Sequence, residues 1–228
     1  MNPKIWGKSF WTLLVYTASQ YPLIASFDDI HKMRRLIVSV GNILPCSSTC
    51  RPNFYRHLQE LPLNGYLATR NLLLEWLLAV YNMTLSEQQR RPLSMKEFLT
   101  KFYGHNDEQR MMEIQKALYY VSVEYPMRPT FDEITNYRNF FTYLFEYSKN
   151  LPFIKRDNVS DNILDRYLNN RNSLLEYVIY TFNIPSNITN EQLSEGFYDG
   201  TNENDKTSLG LLVLMSGLLV GFQLLQSI

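Results

Sequence analysis

The stretch Tyr21-Pro-Leu-Ile-Ala-Ser-Phe-Asp-Asp-Ile30 returns as Tyr125-Pro-Met-Arg-Pro-Thr-Phe-Asp-Glu-Ile134, with five identities and three conservative exchanges in ten positions. Further on, Arg70-Asn-Leu-Leu-Leu-Glu-Trp-Leu-Leu-Ala-Val-Tyr-Asn82 matches Arg171-Asn-Ser-Leu-Leu-Glu-Tyr-Val-Ile-Tyr-Thr-Phe-Asn183 in the same order and at similar spacing. Self-similarity over so long a period marks a duplicated structural unit, here of about 100 residues, with the junction near Gly104. Between the matched blocks Leu44-Pro45 corresponds to Leu151-Pro152, but Cys46 becomes Phe153 and no cysteine follows. Only the first unit carries thiols.

Each unit reads as a series of helices. Phe10, Leu13, Leu14 and Thr17 form one stripe over 10–20, and Tyr21-Pro22 stops it because the residue before proline is driven out of the helical region. Asp28 or Asp29 can cap a second helix in which Ile30, Met33, Leu36, Ile37 and Val40 recur at helical spacing. A third helix is predicted to begin around Ser47 to Thr49 and a fourth to cover 71–83. After Arg90-Arg91-Pro92, the capping-box pattern Ser94-x-x-Glu97 opens a fifth through Tyr103. The second unit repeats the series over 111–124, 131–150, 163–183 and 190–198, broken at Pro126, Pro152 and Pro185. The expected fold class is all-α: compact antiparallel bundles, one per unit.

Composition agrees and excludes other classes. Of 228 residues 45% are apolar and 14% aromatic, so there is ample area for buried cores and no case for disorder. Only 9 glycines are present, too few and too scattered for the clustered glycines of nucleotide-binding loops. Charge cancels at 22 Lys+Arg against 22 Asp+Glu, which leaves no excess field to draw in nucleic acid. No signal peptide is read at the amino terminus, which lacks an apolar h-region. From Thr207 to Ile228 there is no charged residue and apolar side chains fall on every face. A helix of ~20 such residues spans a bilayer core, so residues 207–228 are expected to form a C-terminal transmembrane anchor. The bulk of the chain would then stay on the side where it was made, facing the cytosol, on a host membrane or in a virion.

Chemistry is concentrated in Pro45-Cys46-Ser-Ser-Thr-Cys50, where a loop should turn into a helix. Backbone N–H groups at a helix start favour a thiolate, the species that performs thiol–disulfide exchange. Residues four apart within a regular helix hold their β-carbons about 5–6 Å apart, whereas a disulfide needs about 3.8 Å, so Cys46 must lie ahead of the first turn. Two incidental thiols are the plain alternative. A zinc site would need a fourth ligand beyond Cys46, Cys50 and His57, and none is evident, so no metal is expected.

Taken in order, Trp6-Gly7-Lys8-x-x-Trp11-x-x-Leu14, Tyr21-Pro22, Leu44-Pro45-Cys46, Trp76-x-x-x-x-Tyr81-Asn82 and a basic residue before Pro92 resemble the Erv/ALR flavin-linked sulfhydryl oxidases, most of all the compact versions of large DNA viruses. The resemblance covers about residues 4–103. It implies a four/five-helix bundle holding FAD against a redox-active cysteine pair, with electrons passing from substrate thiols to oxygen to give hydrogen peroxide. Cys46 would receive the electrons and Cys50 would face the flavin. Trp11 would pack on the cofactor, Lys8 and Arg91 would meet its phosphates, and Tyr81 and Asn82 would lie near its rings. The chain departs from the family in having three residues rather than two between the cysteines, Val15 and Tyr81 at its histidine positions, and Leu85 at its second asparagine. The second unit departs further, with Gln115 in place of Trp11.

The expected organisation is an oxidase domain at residues 1–104, a degenerate cofactor-free copy at 105–205, and the membrane segment. The expected function is FAD-dependent oxidation of dithiol protein substrates, directly or through a relay thiol protein, by a homodimer or an intramolecular pseudo-dimer. The competing expectation is a membrane-anchored helical scaffold with vestigial thiols.

Overall fold

The computed structural model describes residues 2–104, 106–149, 151–155 and 160–189. They are helical throughout: α1 (Pro3–Ser19), α2 (Phe27–Ile43), α3 (Cys50–Glu60), a 3-10 turn (Leu63–Tyr66), α4 (Arg70–Glu87), α5 (Met95–Phe102), α6 (Asp107–Val123), α7 (Phe131–Tyr147), α8 (Asp161–Tyr167) and α9 (Arg171–Thr181). No strand occurs among the described residues.

Local chemistry explains where helices begin. Asn2 caps α1 by accepting from the Lys4 N–H at 3.0 Å, and Pro3 sits in the first turn, so α1 starts well before the apolar stripe at Phe10. Ser26, rather than Asp28 or Asp29, is the N-cap of α2, and Asp29 completes a capping box as its third residue. Thr130 and Glu133 build the same box on α7, and Ser94 and Glu97 on α5. The single helix expected over 163–183 is two, because Asn170 turns its side chain to the Ser173 N–H at 3.0 Å and caps α9 afresh. The helix expected over 190–198 and the apolar segment 207–228 lie outside the described residues. Among the described residues no helix is long and apolar enough to cross a membrane.

The matched sequence blocks carry matched hydrogen bonds. Tyr21 donates its buried hydroxyl to the Leu67 carbonyl at 2.8 Å, and Tyr125 donates to the Leu168 carbonyl at 2.8 Å. Arg70 Nε reaches the Tyr21 carbonyl at 2.5 Å, and Arg171 Nε reaches the Tyr125 carbonyl at 2.6 Å. Each pair ties the turn after one long helix to the start of a later one. Helix α1 packs against α6 and α2 against α7. The α2 and α7 axes run antiparallel: Tyr147 at the end of α7 donates to the Asp29 carbonyl at 3.2 Å, while Asn42 near the end of α2 donates to Asn136 at 2.9 Å. Within the first half, α1 also packs on α4 and α5, and α3 packs on α2.

Candidate active site

Leu44-Pro45 ends α2, and the chain then turns tightly, the Cys46 N–H donating to the Leu44 carbonyl at 2.7 Å. Cys46 is buried, Ser47, Ser48 and Thr49 are exposed, and α3 begins at Cys50. Cys46 therefore lies ahead of the first helical turn. Its sulfur receives the Cys50 N–H at 3.3 Å and stands 3.0 Å from the Thr49 hydroxyl, so a side chain preceding the helix covers the first backbone donor. Both cysteines are free thiols.

The two sulfurs are electrostatically unlike. Burial pushes the Cys46 thiol up, but hydrogen bonds from the Cys50 and Thr49 side chains and from their backbone N–H groups prevail and bring it down to about 7. Cys50 is pushed up to about 12, first by burial and then by the proton it shares with Cys46. One sulfur is set to be an anion near neutral pH, the other a thiol.

Cys50 also stands in the wall of a cavity of about 720 Å³ between α1, α3, α4 and α5. Trp11, Tyr81 and Phe102 form an aromatic corner in which Trp11 meets Tyr81 edge-on at 5.0 Å between ring centres and Tyr81 meets Phe102 at 5.1 Å. Lys101 donates to the Tyr81 hydroxyl at 2.7 Å and lies over the same rings. Lys4, Lys8 and Arg90 add cationic side chains to the lining. Among the described residues Glu87 is the one acidic side chain lining the cavity, and it is neutralised locally: the buried His57 lies 2.7 Å away, and Arg56 pairs with the same oxygen. Burial would raise the Glu87 carboxyl, yet the bonds from His57 and Arg56 hold it below its usual range.

Of the residues singled out from sequence, Cys50, Lys8, Trp11 and Tyr81 line this cavity. Cys46 is adjacent through Thr49 and Cys50. Asn82 and Arg91 stand off it. Asn82 pins the loop into α5, donating to the Leu93 carbonyl at 3.0 Å and accepting the Leu93 N–H at 2.8 Å. Arg91 pairs with Glu97 at 2.5 Å on the exposed end of α5, and its neighbour Arg90 lines the cavity instead. Val15 is fully buried in the core, while Leu85 belongs to the cavity wall. Sequence reasoning missed Lys101 and the His57–Glu87 pair. The first is a lone lysine in the last turn of α5, a position that sequence alone reads as a solvated charge. The second joins residues 30 apart and leaves no local signal.

No group of three or more His, Cys, Asp or Glu side chains that could hold a metal occurs among the described residues. In the second half Gln115 and Phe182 stand at the positions that Trp11 and Tyr81 hold in the first. Gln115 donates to the Phe182 and Asn183 carbonyls at 3.1 and 2.9 Å, and Phe182 stacks on Phe145 at 5.4 Å.

The chain is 22% identical over 102 residues, 45% of its length, to 096R of Invertebrate iridescent virus 3, a protein provisionally named an FAD-linked sulfhydryl oxidase, of which the match covers 68%. No family model matches the chain, and no solved structure does.

Proposed function

We propose that the chain is an FAD-dependent thiol oxidase of the Erv/ALR kind that forms disulfides in dithiol partner proteins, with oxygen as acceptor and hydrogen peroxide as product. One juxtaposition carries the reading: half of a free dithiol, Cys50, stands in the wall of a cavity whose other walls are aromatic and cationic. The volume of about 720 Å³ lies within the range of roughly 300–1,000 Å³ that small-molecule sites occupy. The donor set also fits a flavin dinucleotide. Trp11 and Tyr81 offer faces and edges to a flat heterocycle, and Lys8, Arg90 and Lys101 offer charge-assisted hydrogen bonds to a pyrophosphate. The likeness to a viral protein of that name supports the same reading.

When bound, FAD accepts the electron pair of a dithiol and delivers it to oxygen. The chain's own part is exchange between sulfurs. A substrate thiolate attacks Cys46 in the Cys46–Cys50 disulfide, that bond breaks, and the electron pair leaves on Cys50. The substrate's second thiol, losing its proton to solvent, then displaces Cys46 and closes the substrate disulfide. The exposed Ser47–Thr49 turn offers the approach to Cys46. Residues 1–104 would be the oxidase unit, and 105–205 a degenerate copy that serves as the second bundle of an intramolecular pseudo-dimer. Residues 207–228 would anchor the assembly to a membrane with the catalytic part facing the cytosol.

The test is colour and oxygen uptake. The purified full chain should absorb at the flavin bands and consume oxygen with dithiothreitol, releasing one hydrogen peroxide per disulfide. Cys46→Ser or Cys50→Ser should abolish turnover and leave the colour. A folded, colourless and inert preparation would point to the scaffold reading instead.

A further inference from the structure

The loop between the thiols holds three residues, and the last of them is placed unusually. Thr49 is the N-cap of α3, a position from which a threonine ordinarily accepts a hydrogen bond from the second or third N–H of its helix. Here the side chain makes no such bond. Its hydroxyl lies 3.0 Å from the Cys46 sulfur and 3.8 Å from the Cys50 sulfur. The Cys50 N–H meets the Cys46 sulfur from the helix side at 3.3 Å. A backbone N–H and a hydroxyl therefore converge on one sulfur, and a hydroxyl that could have capped the helix is turned to it instead.

We propose that Thr49 is a positioning residue of the thiol pair, whose hydroxyl donates to the Cys46 sulfur and makes Cys46 the sulfur on which the electron pair rests when the bond between Cys46 and substrate breaks. In that step the substrate's second sulfur bonds to its first, the bond from the first to Cys46 breaks, and the pair stays on Cys46, where Thr49 and the α3 amide receive it. A departing sulfur leaves faster the better its anion is stabilised. The role in exchange rests on the proposed oxidase function, while the hydrogen bond and the asymmetry it creates do not. The low position of the Cys46 thiol agrees with it.

The test uses the reduced full chain with no added flavin and follows alkylation of Cys46 by iodoacetamide against pH, read on the peptide by mass spectrometry. Thr49→Val should raise the midpoint by about 1 pH unit, the size of one charge-assisted hydrogen bond, so that alkylation well below both midpoints slows roughly tenfold. Thr49→Ser keeps the hydroxyl and should restore the wild-type profile, which a purely steric role for threonine would not. Should Thr49→Val fail to fold by circular dichroism, Thr49→Ala against Thr49→Ser makes the same comparison. A midpoint unmoved in the variants without the hydroxyl overturns the proposal, because the helix amide alone would then set Cys46. Colour and oxygen uptake are measured on the same preparations. A colourless chain with a Thr49-dependent midpoint removes the oxidase reading and keeps this one; a yellow, active chain with an unmoved midpoint does the reverse.

Discussion

Cys46 and Cys50 belong to one short segment, yet their thiols are displaced in opposite directions, and the stability of the reduced chain should record both. A thiol held at about 7 in the fold against an ordinary 9.0 contributes stability that is complete above pH 9 and is lost as pH falls through 7. A thiol pushed up to about 12 contributes the reverse, complete below pH 9 and lost as pH rises toward 12. The melting temperature of the reduced protein should therefore climb from pH 7 to 9 and decline above 9. Subtracting the melting curve of Cys46→Ala should remove the climb. If wild type and variant run parallel between pH 7 and 9, the sulfur is not held as an anion in the fold. The sequence already pointed to Cys46, since a cysteine after Leu-Pro and before a helix meets backbone donors. The donation by Thr49 was not legible, because a threonine at an N-cap normally turns toward its own helix.

Helices were legible where caps and stripes coincide and were misjudged where a cap lies outside the stripe. Ser94-x-x-Glu97 gave the start of α5 directly, whereas Asn2-Pro3 carried α1 back beyond Phe10 through Trp6, which is buried and packs edge-on against Phe10 four residues later. Asn170 split one expected helix because its side chain competes for backbone donors while the flanking apolar residues keep helical spacing. The position of α3, and hence of Cys50, depends on a residue that no motif marks. A Cβ on Gly41 would come within 2.9 Å of the Phe54 ring and 3.2 Å of Tyr55, so glycine lets α2 and α3 approach closely. Phe54 is buried and meets Trp76, which donates to the Leu61 carbonyl at 3.0 Å, so the ring has little room to yield. Overpacking costs about 1–3 kcal/mol, offset by about 1 kcal/mol of helix propensity on replacing glycine with alanine. Gly41→Ala should thus destabilise by about 1 kcal/mol in urea unfolding, and Gly41→Val by more. A stabilised Gly41→Ala would mean that α3 can move away from α2 freely.

At the scale of the whole molecule, the two halves share one hydrophobic core, which runs from Trp6 through Val121 to Ile188, and they meet through counterpart helices, α1 on α6 and α2 on α7. The repeated blocks were legible because the Tyr-Pro turn and the Arg-Asn helix start are local signatures, and each makes the same hydrogen bonds in both halves. The cavity was less so, because its cations come from α1, the loop after α4 and α5, segments that meet only on folding. The shared core makes a prediction about cooperativity. Tyr21→Phe and Tyr125→Phe each strip one buried carbonyl of its partner, Leu67 in the first half and Leu168 in the second. Each should cost about 1–3 kcal/mol, and because the bonds have no partner in common the double variant should cost their sum within about 0.5 kcal/mol. If the interface couples the halves, all three variants unfold in a single transition, and Tyr125→Phe lowers the midpoint reported by tryptophan fluorescence, whose sources Trp6, Trp11 and Trp76 all lie in the first half, as much as that reported by circular dichroism over the whole chain. Two transitions, with Tyr125→Phe moving only one, would mean that the contacts of α1 with α6 and α2 with α7 are weaker than the cores they join. The second half could then not be what holds α1 and Lys8 in place, although Glu113 reaches Lys8 across that interface at 3.2 Å.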